Sequence, residues 1–192
     1  MVSQPHETEP MTHREIVVAV HKWLKKHKRN IVVPNCSLVV SELATANATG
    51  ETPDVMGWNY YTSVMIEVKT SLADLRRDKI KRFRERGTGV GEHKYYCLPQ
   101  SLMANAANII LPEYGLLSIS EDGKIDIYKM AEKSETNFHT ERTMLLSVIR
   151  RMSKPNTGGE KKCDCTHTQA CAICAESKGI DWTIIEPKGD KK

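Results

Sequence analysis

The sequence predicts an α/β fold in which a mixed sheet is flanked by helices and followed by a cysteine-rich C-terminal extension. Three observations carry this. Segments with apolar residues at helical spacing alternate with short β-branched runs. A strongly basic helical segment separates the third strand-like run from the fourth, and such a helix suits the crossover between parallel strands. Further on, Asp122-Gly123 stands between two alternating segments, the mark of an antiparallel hairpin. A chain of 192 residues, 40% of them hydrophobic, suits one domain of ordinary size with an appendage.

Residues 1–11 are polar and read as a disordered start. Thr12 and Glu15 have capping-box spacing, so a helix begins there, with Ile16, Val20, Trp23 and Leu24 on its apolar side. Lys25, Lys26, Lys28 and Arg29 crowd its end, where they suit the helix dipole. Residues 31–33 and 37–43 read as strand, interrupted by Pro34. Residues 46–53 form a turn, 54–58 a second strand and 63–69 a third. Ser71 and Asp74 suggest another cap, opening a basic helix to about Arg86 with Leu72, Leu75, Ile80 and Phe83 inward. The glycines at 87–91 end that helix; they do not follow a strand and open a helix, so they are not a dinucleotide fingerprint. Residues 93–98 make a fourth strand, 115–120 and 124–130 the hairpin, and a last helix with Phe138, Leu145 and Val148 runs to Met152. Residues 12–154 then form the main domain, and 155–192 a linker and cysteine-rich tail.

The net charge of +4 hides a pattern. Residues 37–68 contain no Lys or Arg and four acids, Glu42, Glu51, Asp54 and Glu67. The basic segments 14–36 and 69–86 flank them, each carrying +5. No stretch is apolar enough to span a membrane, and the polar first residues lack a secretory signal, so a cytoplasmic setting is expected.

Glu67-Val68-Lys69 is the most informative tripeptide. Strand alternation sends Glu67 and Lys69 to one face, and Val64, Ile66 and Val68 to the other. Antiparallel pairing through residues 57–62 brings Asp54 near Glu67, and Glu42 ends the strand before. Three carboxylates at one sheet edge repel one another unless a hard cation such as Mg²⁺ or Mn²⁺ joins them. Lys69 then stands ready to orient a water or stabilise a transition state. Glu51 reads as an exposed turn residue. Trp58, Tyr60 and Tyr61 read as a hairpin cluster packing on itself, and Trp23 as core.

Pro53-Asp54, twelve residues, then Glu67-Val68-Lys69 resembles the signature of the PD-(D/E)XK nuclease superfamily, and the element order resembles its restriction-endonuclease-like core, α-β-β-β-α-β. Residues 31–152 are more closely similar to the MmcB-type DNA-repair proteins. The segments that carry this are Val40-Ser41-Glu42, Pro53-Asp54-Val55, Ile66-Glu67-Val68-Lys69-Thr70-Ser71, Asp74-Leu75-Arg76-Arg77-Asp78-Lys79 and Leu111-Pro112-Glu113-Tyr114-Gly115-Leu116. The resemblance implies Asp54, Glu67 and the Val68 carbonyl as Mg²⁺ or Mn²⁺ ligands and Lys69 as base or electrostatic helper. It also implies Glu42 as third carboxylate, with Glu15 as its rival, and Lys79 as a phosphate contact. The expected activity is metal-dependent hydrolysis of DNA in repair or processing, or in a phage or mobile element. The alternative is a non-catalytic module that binds nucleic acid or protein.

Arg76, Arg77, Lys79, Lys81 and Arg82 form a candidate nucleic-acid face next to that site, reading backbone rather than bases. DNA is the expected partner, with RNA and a homodimer left open. In the tail, Cys163, Cys165, His167, Cys171 and Cys174 fall within twelve residues, and the last pair has zinc-ligand spacing. Zinc and a protein partner at this tail are therefore expected ahead of a reduced tail with incidental thiols. Cys36 and Cys97 read as small core residues.

Overall fold

Thr12 opens the first helix, α1 (His13–Lys26), through reciprocal capping. Its backbone N–H donates to Glu15 Oε2 at 2.8 Å, and Glu15 N–H donates back to Thr12 Oγ1 at 3.3 Å. The computed structural model describes residues 10–26, 36–43, 51–81 and 89–152. Along them follow β1 (Leu38–Ser41), β2 (Val55–Trp58), β3 (Ser63–Val68), α2 (Leu72–Lys79) and β4 (His93–Pro99). A 3-10 turn (Gln100–Leu102) leads into the single-turn α3 (Met103–Ala106). The hairpin β5 (Gly115–Ile119) and β6 (Ile125–Lys129) precedes α4 (Phe138–Met152). The sequence reading finds all of these except the two short helical turns after β4.

The six strands lie in sequence order in one sheet. β3, β4 and β5 are mutually parallel, and the remaining neighbours are antiparallel. The sheet is therefore mixed, with α2 in the β3–β4 crossover. Both faces carry a core. Ile16, Val20 and Leu24 of α1 cover Val55, Val64, Ile66 and Val68 on one side. On the other, Leu75 of α2 and Met144 and Val148 of α4 cover Met56, Met65, Tyr96 and Leu116. A Cβ on Gly57 would meet Cys36 Sγ at 2.7 Å and Leu24 Cδ2 at 2.8 Å, so glycine lets α1 approach β2. Gly123 takes φ +79 in the β5–β6 turn, where Asp122-Gly123 predicts it. Cys36 and Cys97 are buried core residues, and burial pushes both thiols up to about 12.

Four expectations need correction. Glu51 is not an exposed turn residue: it is 1% exposed and accepts the Val90 N–H at 2.9 Å. Ile80 does not face inward; it follows the last residue of α2 and is 84% exposed. Tyr60 and Tyr61 are exposed rather than clustered, and only Trp58 is buried, donating from Nε1 to Glu141 Oε2 at 3.1 Å. Trp23 is only partly buried, against the edge of the α1-side core. The predicted strand 31–33, most of the turn 46–53 and the helical residues 82–86 lie outside the described residues.

Candidate active site

A short turn sets the geometry of the site from a distance. The Asn59 side-chain carbonyl accepts the N–H groups of Tyr61 and Thr62 at 2.8 and 2.9 Å, and its own N–H donates to the Thr62 carbonyl at 3.0 Å. This Asx turn fixes the β2–β3 register, with Val55 opposite Ile66. One residue further from the turn, the same register sets Asp54 opposite Glu67. Asp54 is held there by the neighbouring strand, since Val68 N–H donates to its Oδ2 at 2.7 Å.

Glu42 joins this end of the sheet by its backbone. Its N–H donates to the Asp54 carbonyl at 2.9 Å, its φ is +48, and its side chain is exposed. The three carboxylate-bearing residues thus lie just past β1, just before β2 and near the end of β3, and the side chains of Asp54 and Glu67 form the close pair. Among the described residues no group of three or more His, Cys, Asp or Glu side chains is arranged to hold a metal ion. The donor chemistry of the pair itself suits a hard cation: both are carboxylates, and the Glu67 charge raises the cost of charging Asp54. Glu15, the rival third acid, is committed to the α1 cap, where its Oε2 also accepts the Thr12 hydroxyl at 2.8 Å.

Lys69 follows directly on β3. Its Nζ donates to Glu67 Oε2 at 2.9 Å and lies 3.4 Å from Asp78 Oδ1. Burial pulls the ammonium down, but Glu67 and Asp78 outweigh it, so the group stays above the ordinary lysine value. Asp54 moves up as well. Burial is the larger cause and the Glu67 charge the second; the Val68 N–H, Lys69 and His13 act against them. His13 Nε2, at the start of α1, stands 3.4 Å from Asp54 Oδ2.

The basic helix begins beside this group. Ser71 caps α2, its Oγ accepting the Asp74 N–H at 3.2 Å, so the first turn of α2 lies just past Lys69. An open cleft of about 370 Å³ runs between His13, Lys69 and Thr70 on one side and Arg77 and Asp78 of α2, with Lys81 just past its end, on the other. Of the proposed phosphate contacts, Arg76 is exposed. Arg77 is bonded to Asp74, and Lys81 Nζ lies 2.7 Å from Asp78 Oδ1. Lys79 lies in α2, with its side chain outside the description, and Arg82 and the tail residues Cys163, Cys165, His167, Cys171 and Cys174 are outside the described residues. Asp54 and Glu67 line neither the cleft beside α2 nor two larger ones, one along α1 and one at the ends of β4 and β5; the α2 cleft reaches the site through Val68, Lys69 and Asp78.

The residue that sequence reasoning missed is Asp78. It is 1% exposed, and its Oδ2 accepts the Tyr96 hydroxyl at 2.8 Å. One signal was available: Asp78 lies three residues after Leu75, on the same helix face, whereas Ile80 does not share that spacing.

No family model matches the chain, and no curated protein matches it. Among solved structures it is similar to a protein of unknown function from Silicibacter pomeroyi, at 20% identity and a TM-score of 0.54. The likeness covers 80% of this chain and 99% of that one, and at such identity it is a likeness of fold.

Proposed function

We propose that this chain is a metal-dependent nuclease of the PD-(D/E)XK type that hydrolyses phosphodiester bonds in DNA, in repair, processing or a mobile-element setting. The observation that carries this is the joint position of Asp54, Glu67 and Lys69 at the end of β3. The run α1-β1-β2-β3-α2-β4 supports it, because it is the element order of the restriction-endonuclease-like core. Asp54 and Glu67 would hold Mg²⁺ or Mn²⁺, with the Val68 carbonyl as a further oxygen donor and Glu42 completing the set by rotation of its exposed side chain. Such a cation lowers the pKa of a bound water and neutralises charge on a phosphoryl group. Lys69, an ammonium between two carboxylates, acts as a hydrogen-bond donor to the phosphoryl oxygens and the attacking water, not as a proton acceptor. The exposed cations of α2 take neighbouring phosphates.

The second reading is a non-cleaving module that binds nucleic acid or a protein partner. The exposed position of Glu42, away from the acid pair, favours it. Purified protein given Mg²⁺ or Mn²⁺ with linear, nicked, branched and single-stranded DNA, and with RNA, separates the two. The nuclease cuts at least one DNA, and Asp54→Ala and Lys69→Ala cut it far more slowly. DNA binding with no cleavage and no calorimetric uptake of Mn²⁺ belongs to the module. Zinc at Cys163, Cys165, His167, Cys171 and Cys174 is a separate proposal, tested by elemental analysis of the full chain beside Cys171→Ser/Cys174→Ser.

A further inference from the structure

A buried carboxylate on a sheet-facing helix position needs a reason, because an apolar residue there would cost less desolvation. Asp78 is such a residue. It shares the inner face of α2 with Leu75, and both are 1% exposed. Its two oxygens do different things. Oδ2 takes the hydroxyl of Tyr96 at 2.8 Å, and Tyr96 is the parallel-register neighbour of Glu67 on β4. The Tyr96 ring is fixed in turn by stacking on Tyr114, with centroids 5.0 Å apart. Oδ1 faces two ammonium groups, Lys81 at 2.7 Å and Lys69 at 3.4 Å. Lys69 is therefore held from two sides, by Glu67 on its own strand and by Asp78 on the helix above.

We infer that Asp78 is the positioning residue of this site: anchored by Tyr96, it shares the Lys69 ammonium with Glu67, holding it between α2 and β3 and drawing it away from Asp54. Without that second carboxylate Glu67 and Asp54 are the main anions acting on Lys69 among the described residues, so the ammonium competes for the oxygens a cation would use. The catalytic consequence rests on the nuclease reading above; the holding of Lys69 by Asp78 does not. Asp78 touches neither water nor phosphate in this account and acts through Lys69 alone.

The test is a double-mutant cycle on the full chain with Lys69→Met and Asp78→Asn, read by single-turnover cleavage of DNA with Mn²⁺ and by thermal unfolding. The expected result is that Asp78→Asn lowers the rate by about 30-fold with KM for DNA within about twofold, and changes it less than about twofold when Lys69 is already Met. Tyr96→Phe, which keeps the ring and removes the hydroxyl, should lower the rate about threefold in the wild type and not in Lys69→Met. It serves as the probe if Asp78→Asn does not fold. Losses that multiply in the double variant would overturn the inference, since a purely structural role acts independently of Lys69. If the wild type cuts no DNA, the nuclease reading fails, and the melting temperatures decide the remainder. Non-additive shifts then support the Asp78–Lys69 hold, and additive shifts overturn it.

Discussion

Val68 donates its backbone N–H to Asp54 Oδ2 at 2.7 Å, so the strand that carries Glu67 also clamps the carboxylate opposite it. One oxygen of Asp54 is thereby fixed by a rigid strand. The clamp explains how two like charges are kept adjacent in a largely buried setting: the backbone dipole offsets part of a repulsion that burial strengthens. Several measurable outcomes depend on this arrangement.

Asp54→Asn keeps a carbonyl oxygen to accept the Val68 N–H and removes the charge. The carboxyl of Asp54 is raised in the folded state, so the native protein binds its proton more readily than the unfolded chain. Its unfavourable contribution is absent below the ordinary value of 3.8, grows as pH rises through the raised folded value, and is constant above it. Asp54→Asn should therefore melt higher than the wild type at neutral pH, with the gain fading towards pH 4. Thermal melts across that range, with Mn²⁺ raising the wild type more than the variant, check this.

Lys69→Met leaves Glu67 without its ammonium partner in a buried site, which should cost roughly 3 kcal/mol. The folded lysine is raised, so its stabilisation is fully present below the ordinary 10.5 and is lost as pH climbs past the folded value. Denaturant melts should show a gap from the wild type that is flat between about pH 6 and 9 and closes only in strong alkali. A gap that closes by about pH 8 would contradict the ion-pair geometry.

Glu141 of α4 offers a contrasting case at the Trp58–Ser63 end of the β2–β3 pair. It accepts the Ser63 hydroxyl and the Gly91 N–H at 2.8 Å each, the Thr136 hydroxyl at 2.5 Å and Trp58 Nε1 at 3.1 Å. Glu141→Ala orphans these buried donors and should cost about 3–5 kcal/mol, with Glu141→Gln costing less. A fall in the denaturation midpoint with an unchanged slope is the expected signature. The cleavage rate per folded molecule should stay within about threefold of wild type, because the Trp58–Ser63 end of the hairpin is remote from Asp54 and Glu67.

Arg76 is exposed, whereas Arg77 and Lys81 are already engaged by Asp74 and Asp78. Arg76→Ala should lower the slope of log affinity against log salt by about 0.9 on duplex DNA, the value of one phosphate contact. Arg77→Ala should lower it less, since its guanidinium starts out neutralised. Binding isotherms at four or five salt concentrations would reverse this assignment if Arg77 dominates.

The acid pair was legible because Asp54 and Glu67 lie at matched distances from the Asn59–Thr62 turn, and alternation does the rest. Capping boxes at Thr12 and Ser71 located both helices that border the cleft. What escaped were carboxylates whose partners are distant in sequence. Glu51 is satisfied by Val90, and Asp78 by Tyr96 and Lys69, so nothing local marks Glu51 as buried and only the spacing from Leu75 marks Asp78. Inward placement of Ile80 failed for a different reason: α2 ends at Lys79, and the apolar pattern was extended past the helix that would have carried it. The order of the two neighbouring strands was readable, whereas the turn of Glu42 to a left-handed φ was not, because only glycine and asparagine announce that conformation in sequence.

The most direct measurement is Mn²⁺-dependent cleavage of DNA by the wild type and by Asp54→Asn, both shown to be folded by their melts. The account predicts that the wild type cuts and that Asp54→Asn, although more stable at neutral pH, loses at least about 10³-fold in rate. Cleavage by Asp54→Asn at the wild-type rate, or none by either protein on any DNA offered, would contradict it.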